Sequence, residues 1–175
     1  MSYSSYGILA VILHHIINYN VIIGGRGKNP KEPIYRYRQF LNSLLVFYTA
    51  DLLWGFLVES GIRALAYADT MLFFATMSLS VLLWTRFVVA FLNKKGIRAV
   101  SFMAAGWCIF GFVVSALIIN FFVPVIFTFT NDTEYIPGSG RYILLVVQFL
   151  LFILISVYSF FVSQKSDGRD KIHYM

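Results

Sequence analysis

Five runs of predominantly apolar residues, at 6–24, 40–58, 64–87, 100–127 and 142–162, constrain what this chain can fold into. A helix needs about 20 such residues, at about 1.5 Å of rise each, to cross the hydrocarbon core of a bilayer. The runs are too long for barrel strands of about ten residues and lack their alternation. The expectation is an all-α fold, a polytopic membrane helical bundle of about five transmembrane helices over 1–163, with a basic tail at 164–175. Composition argues the same way. Of 175 residues, 59% are hydrophobic and 13% charged, against about a quarter charged in a soluble domain. A globule of this size buries only about 70% of its surface, so much of that apolar area would face water. A lipid bilayer is the partner this composition calls for, and the cell membrane the location. The first run is the weakest, because His14, His15, Asn18 and Asn20 interrupt it.

The position of the charges explains the net +6 without a nucleic-acid partner. One set of connections carries Arg26, Lys28, Lys31, Arg36 and Arg38, then Arg86, Lys94, Lys95 and Arg98, then Lys165, Arg169 and Lys171. The alternating set carries only Arg63 and Arg141. Twelve basic residues thus fall on one side and two on the other. Cytoplasmic loops hold the Lys/Arg excess, which predicts an N-terminus outside and a C-terminus inside. The first run has no basic residue before it and a basic cluster after it, the reverse of a secretory signal. Cys108 is the sole cysteine, so neither an intrachain disulfide nor a Cys-x-x-Cys metal site can form.

Two acids interrupt the spans: Asp51 near the middle of the second and Asp69 about one turn inside the third. A charge at a helix centre costs about 2.5–3.5 kcal/mol on insertion scales and usually faces the bundle interior. Counted inward from the outer ends, His14, Asp51, Asp69, Asn120 and Gln148 all fall about 6–12 Å deep, one per helix. Asp69, Phe73, Thr76 and Ser80 share one helical face, as do Arg141, Gln148 and Ser159. Two readings stay open. The layer is an outward-opening ligand pocket with Arg141 and Tyr135 at its mouth, or it is interhelical hydrogen-bond glue worth about 0.6 kcal/mol per contact.

Other features carry less chemistry. His14 and His15 point about 100° apart and His173 lies at the far end, so no metal site is expected; His14 with Asn18 reads as a polar contact within the bundle. Gly24-Gly25-Arg26-Gly27 lacks the Lys-Ser/Thr ending of a phosphate loop. No nucleophile–base set is visible, so neither a catalytic residue nor a cofactor is expected. Gly111 and Ser115 form a small-xxx-small pair suited to close helix approach, including a homodimer contact. Trp84 and Arg86 read as an interfacial anchor. Pro124 is expected to end or kink the fourth helix. The connection 128–140 combines Asp132, Glu134, Tyr135 and Pro137 with the turn Gly138-Ser139-Gly140, the mix of a binding loop or lid.

Three stretches together resemble a bacterial signalling family: Leu41-Asn42-Ser43-Leu44-Leu45 leading to Asp51-Leu52-Leu53-Trp54-Gly55, Leu82-Leu83-Trp84-Thr85-Arg86, and 127–142 with Tyr135-Ile136-Pro137-Gly138. Over almost the whole chain they are similar to the N-terminal multi-helix membrane sensor module of Firmicutes GGDEF diguanylate cyclases and related signalling proteins. The resemblance implies a membrane sensor followed by further helices and a cytoplasmic output domain. This sequence stops at Met175 after a basic segment and has no GGDEF motif, so no cyclase activity carries over to it. The expected function is a receptor-like module that binds a small molecule in an outward-facing polar pocket and passes the signal inward. The alternatives are a transport or channel subunit using Asp51, against which no repeat relates two halves of the chain, and a structural membrane partner without ligand.

The charge count yields a direct test. Cysteine at Lys28 or Lys95 should resist an impermeant thiol reagent in intact cells, and cysteine at Asp132 should react. Labelling at Lys95 from outside would overturn the orientation.

Overall fold

The computed structural model describes residues 3–22, 32–92 and 96–165. Their order is α1 (Tyr3–Ile22), α2 (Glu32–Glu59), α3 (Arg63–Phe91), α4 (Ile97–Asn120), β1 (Phe127–Phe129), β2 (Tyr135–Pro137) and α5 (Ser139–Lys165). Four helices are long and apolar enough to cross a membrane: Pro33–Glu59, Arg63–Phe91, Ile97–Asn120 and Ser139–Val162. The chain therefore has the build of a multi-pass membrane helical bundle. Arg26, Lys28, Lys31, Lys94, Lys95, Arg169 and Lys171, which carry much of the charge argument, lie outside the described residues, as does His173.

The third helix is the central stave. Of its most apolar window 44% is buried, against 17%, 17% and 22% for α2, α4 and α5. α2, α4 and α5 all pack on it, and α1 packs on the far side of α2. A helix in that position cannot be lined by lipid-like side chains alone, since in a bilayer helices gain little from burying apolar surface against one another. α3 buries small hydroxyl residues instead, and four of them bond back to their own helix, while the Ser78 hydroxyl is buried without a partner. The hydroxyls of Thr70, Thr76, Ser80 and Thr85 donate to the carbonyls of Ala66, Leu72, Thr76 and Val81 at 2.7–2.8 Å. Ser80 also meets Ser43 of α2 at 2.9 Å, a buried bond between the two helices.

At one end of the bundle lies the feature that hydropathy does not separate from the fourth span. That span was expected to run to 127, but α4 stops at Asn120 and the apolar run continues into a hairpin. The reason lies in the residue types of 121–129, which are aromatic and β-branched around Pro124; such a segment is as apolar as a helix but favours extended backbone. The connection 128–140 is likewise no loose loop. β1 pairs antiparallel with β2 in the register Phe127↔Pro137, Thr128↔Ile136 and Phe129↔Tyr135. Its tip closes through Thr130, whose Oγ1 accepts from the Glu134 N–H at 3.0 Å, and Arg63 at the start of α3 donates to the Asn131 side chain at 3.2 Å.

Ile126, Phe127 and Phe129 drive into the bundle end and pack with Ala66 and Phe74 of α3, Val113 and Leu117 of α4 and Leu144 of α5. Phe127 stacks on Phe74 with ring centres 6.0 Å apart and planes 13° apart. A second cluster joins Val88 of α3 and its C-cap Leu92 to Leu151 and Ile155 of α5 at the opposite end.

Two further expectations change. Arg36 and Arg38, read as loop, sit in the early turns of α2, because the helix continues past its apolar stretch with Pro33 tolerated in the first turn. Trp84, read as an interfacial anchor, lies half-buried in an aromatic cluster with Phe40, Phe87 and Phe152 at 5.2–5.7 Å.

Where β2 turns into α5, the chain passes hard against the Val125 backbone. The Gly138 N–H donates to the Ile126 carbonyl at 2.8 Å and the Gly140 N–H to the Val125 carbonyl at 3.0 Å. A Cβ at Gly138 would collide with the Val125 carbonyl, which cannot swing aside as a side chain would. At Gly111, on the exposed face of α4, a Cβ meets nothing within 4 Å. Gly138→Ala should therefore lower the melting temperature in detergent, at a cost of about 1–3 kcal/mol, while Gly111→Ala should be neutral or slightly stabilising. Equal effects from the two would refute this packing.

Candidate functional site

The site is built where α2 and α5 lean on α3 without closing on one another. On α2, Asp51 and Trp54 are three residues apart and share a face. On α3, Thr70, Phe73 and Phe74 occupy successive positions of the facing stripe. β2 supplies Tyr135, and the first turn of α5 supplies Arg141. These seven residues line one cavity of about 210 Å³. It holds about seven waters' worth of space, at about 30 Å³ per water.

Tyr135 is the centre of its wall. Its ring meets Trp54 edge to face at 5.8 Å and stacks on Phe127 at 6.0 Å with planes 23° apart. Its hydroxyl accepts from Arg141 Nη1 at 3.4 Å, a long bond. The Arg141 guanidinium carbon lies 5.7 Å from the ring centre, within the range of a cation–π contact. Burial pushes the Tyr135 phenol above its ordinary value, and the charge and hydrogen bond of Arg141 only partly offset this. Tyr135 is thus a neutral hydroxyl at physiological pH.

The charged groups are incompletely matched. Arg141 Nε is shielded from solvent with no hydrogen-bond partner, and so is Asp69 Oδ2. Asp69, one position before Thr70 and only 7% exposed, lies within the electrostatic reach of Asp51. Asp51 and Arg141 share the cavity without pairing with each other.

Of the residues expected from the sequence, Asp51, Tyr135 and Arg141 converge here, with Asp69 beside them. The other three members of the polar layer do not. Asn120 is occupied by the segment leading into the hairpin and by the Tyr67 hydroxyl of α3. Its Oδ1 accepts from the N–H groups of Ile126 at 2.7 Å and Phe127 at 3.2 Å, and its Nδ2 donates to the Phe127 carbonyl at 3.0 Å. Gln148 donates to the Leu144 carbonyl at 3.0 Å and borders a separate apolar groove between α3 and α5. His14 packs between α1 and α2, its ring 5.8 Å from that of Tyr48. Equal depth in the bilayer does not bring side chains to one place, because azimuth around each helix also decides what they face. Trp54, Thr70 and Phe74 are site residues that sequence reasoning misses. The i, i+3 spacing of Asp51 and Trp54 is the one available signal, and the sequence places Phe73 only on the Asp69 face.

Among the described residues no group of three or more His, Cys, Asp or Glu side chains could hold a metal ion. No protein-family model matches the chain, and no curated protein or solved structure matches it. The arrangement itself is a small, largely aromatic chamber with one acid, one guanidinium and two hydroxyls.

An unpaired carboxyl in such a place works against stability, since a buried polar atom without a partner costs about 1–3 kcal/mol. Asp69→Leu is expected to fold and to melt higher than the wild type in detergent. A lower melting temperature would mean that the carboxyl is engaged in holding the bundle together.

Proposed function

We propose that the chain is a membrane-embedded receptor module that binds a small molecule in the cavity between α2, α3, α5 and the hairpin. Within this reading all five helices span, with the N-terminus outside and the C-terminus inside. Support for α1 as a span comes from its 20 residues, about 30 Å of helix, and from how it lies along α2. Gly7 sits against Leu52 at one end. At the other, Tyr37 donates to the Asn18 side chain at 3.0 Å and Arg38 to the Val21 carbonyl at 3.2 Å. An odd number of spans and the twelve-to-two distribution of basic residues then put the hairpin and the cavity on the outer side.

The observation that carries the reading is the division of the cavity wall between two units. Asp51, Trp54, Thr70, Phe73 and Phe74 belong to α2 and α3, the most closely packed helices, whereas Tyr135 and Arg141 belong to the hairpin and the start of α5. A ligand touching both units favours one seating of α5 over another, which is the differential binding that any ligand-driven shift requires. α5 leads to the basic tail, so its displacement would be felt on the cytoplasmic side. The likeness to sensor modules of GGDEF proteins agrees with such an outward site and inward output. The closeness of Asp51 to Asp69 favours a second reading, a cation-coupled transport subunit.

The test uses purified protein in detergent and a library of small cationic, anionic, neutral and zwitterionic molecules. Ligands at 100 times their Kd should stabilise the wild type by about 2.7 kcal/mol. Asp51→Asn and Arg141→Gln should keep the ligand-free melting temperature and lose the ligand-induced rise. Rises undiminished in both variants would place binding elsewhere, and sodium- or proton-dependent uptake into liposomes would favour the transport reading.

A further inference from the structure

The chemistry of the cavity walls narrows what the site can take. Resting on the receptor reading above, we infer that the ligand is a small zwitterion, carrying an ammonium and a carboxylate on a short apolar skeleton of about ten non-hydrogen atoms or fewer.

The first ground is charge. The cavity presents one carboxylate, Asp51, from α2 and one guanidinium, Arg141, from α5. Oppositely charged groups facing one low-dielectric space would ordinarily pair, because leaving them apart sacrifices the attraction that offsets their desolvation. These two do not pair. A guest bearing both charges completes both groups at once. A lone cation would satisfy Asp51 and sit opposite an unmatched Arg141, and a lone anion would do the reverse.

The second ground is the setting of each charge. Asp51 shares the cavity lining with the indole of Trp54, which meets the Tyr135 ring edge to face at 5.8 Å, and a carboxylate in company with aromatic faces is a setting that holds an ammonium. Asp69, close by, adds to the negative potential around Asp51. Arg141 also lines the cavity and spends one Nη1 N–H on a 3.4 Å contact with Tyr135. A guanidinium with donors to spare is matched in geometry to a carboxylate, which it can grip through two parallel bonds. Phe73 and Phe74 also line the cavity, suited to methylene groups.

The third ground is size. A cavity of about 210 Å³ admits about seven loosely packed waters, or about ten covalently bonded atoms, which pack more tightly. That volume suits a small amino acid.

Two matched probe sets test the class on the full chain in detergent. The first is leucine with isoamylamine and isocaproate, and the second is δ-aminovalerate with pentylamine and valerate. Within each set the zwitterion and the two single ions share a skeleton, and the sets differ in the separation of the charges. At least one zwitterion should bind the wild type about tenfold or more tighter than its own amine and acid. Asp51→Asn should lower that zwitterion's affinity by about tenfold and leave the acid's unchanged; Arg141→Gln should lower it equally and leave the amine's unchanged. Amine or acid binding as tightly as its zwitterion overturns the inference while leaving a ligand site in place. The inference fails in the same way if neither zwitterion binds and a library molecule of another class does so in an Asp51-dependent way. A wild type that no molecule stabilises overturns this inference and the receptor reading together.

Discussion

The side-chain amide of Asn120 holds two consecutive backbone N–H groups and one carbonyl of the segment that follows it, and the placement of the hairpin depends on that grip. A two-stranded hairpin with three residues per strand is not stable alone in water. Here its first strand is pinned at the end of α4 by bonds that water reaches poorly, each worth about 0.5–1.5 kcal/mol net. The Tyr67 hydroxyl bonds the Asn120 carbonyl at 3.2 Å and ties α3 to the same junction. With the backbone so held, Phe127 can occupy the space between Phe74 and Tyr135. Phe129 and Ile126 follow it into the core.

What the hairpin then determines is the cavity. α2 and α5 approach α3 from different sides, and the opening between them is bounded by Tyr135 and Arg141 because β2 and the start of α5 are fixed over it. The close crossing at Val125 sets the direction of α5 as it leaves the hairpin, and a side chain at Gly138 would force that crossing apart. One continuous piece of chain, from Asn120 to Arg141, therefore shapes both the packed end of the bundle and one wall of the site.

The polar residues within the helices divide into two kinds. Thr70, Thr76, Ser80 and Thr85 satisfy themselves on their own helix and let α3 sit in the middle of the bundle with no demand on neighbours. Asp51, Asp69 and Arg141 have no such internal solution. A carboxyl cannot bond back to a helix whose N–H groups are already used, and a guanidinium in the first turn of α5 finds only the Tyr135 hydroxyl within reach. Departures from full polar satisfaction concentrate at functional sites in stable folds. Asp69 Oδ2 and Arg141 Nε, two buried atoms without a hydrogen-bond partner, lie at or beside the cavity under the hairpin.

The long apolar runs determined by themselves that the chain forms membrane-length helices, since about 20 apolar residues have few other ways to satisfy their backbone away from water. The cost of ionised groups in such runs likewise made Asp51 and Asp69 legible as unusual, and the residue mix around Tyr135 and Arg141 pointed to them. Hydropathy could not tell the end of α4 from the start of β1, because Phe, Val and Ile serve both, and so the hairpin was not visible. Nor could it sort His14, Asp51, Asp69, Asn120 and Gln148, because a sequence records depth along a helix axis and leaves the rotation of each helix about its neighbours open. Those rotations are set by side-chain packing on α3 and by the hydrogen bonds of Asn120. Only they decided that Asp51 would face Arg141 across a cavity, that Asn120 would be consumed in holding the hairpin, and that Gln148 and His14 would lie elsewhere.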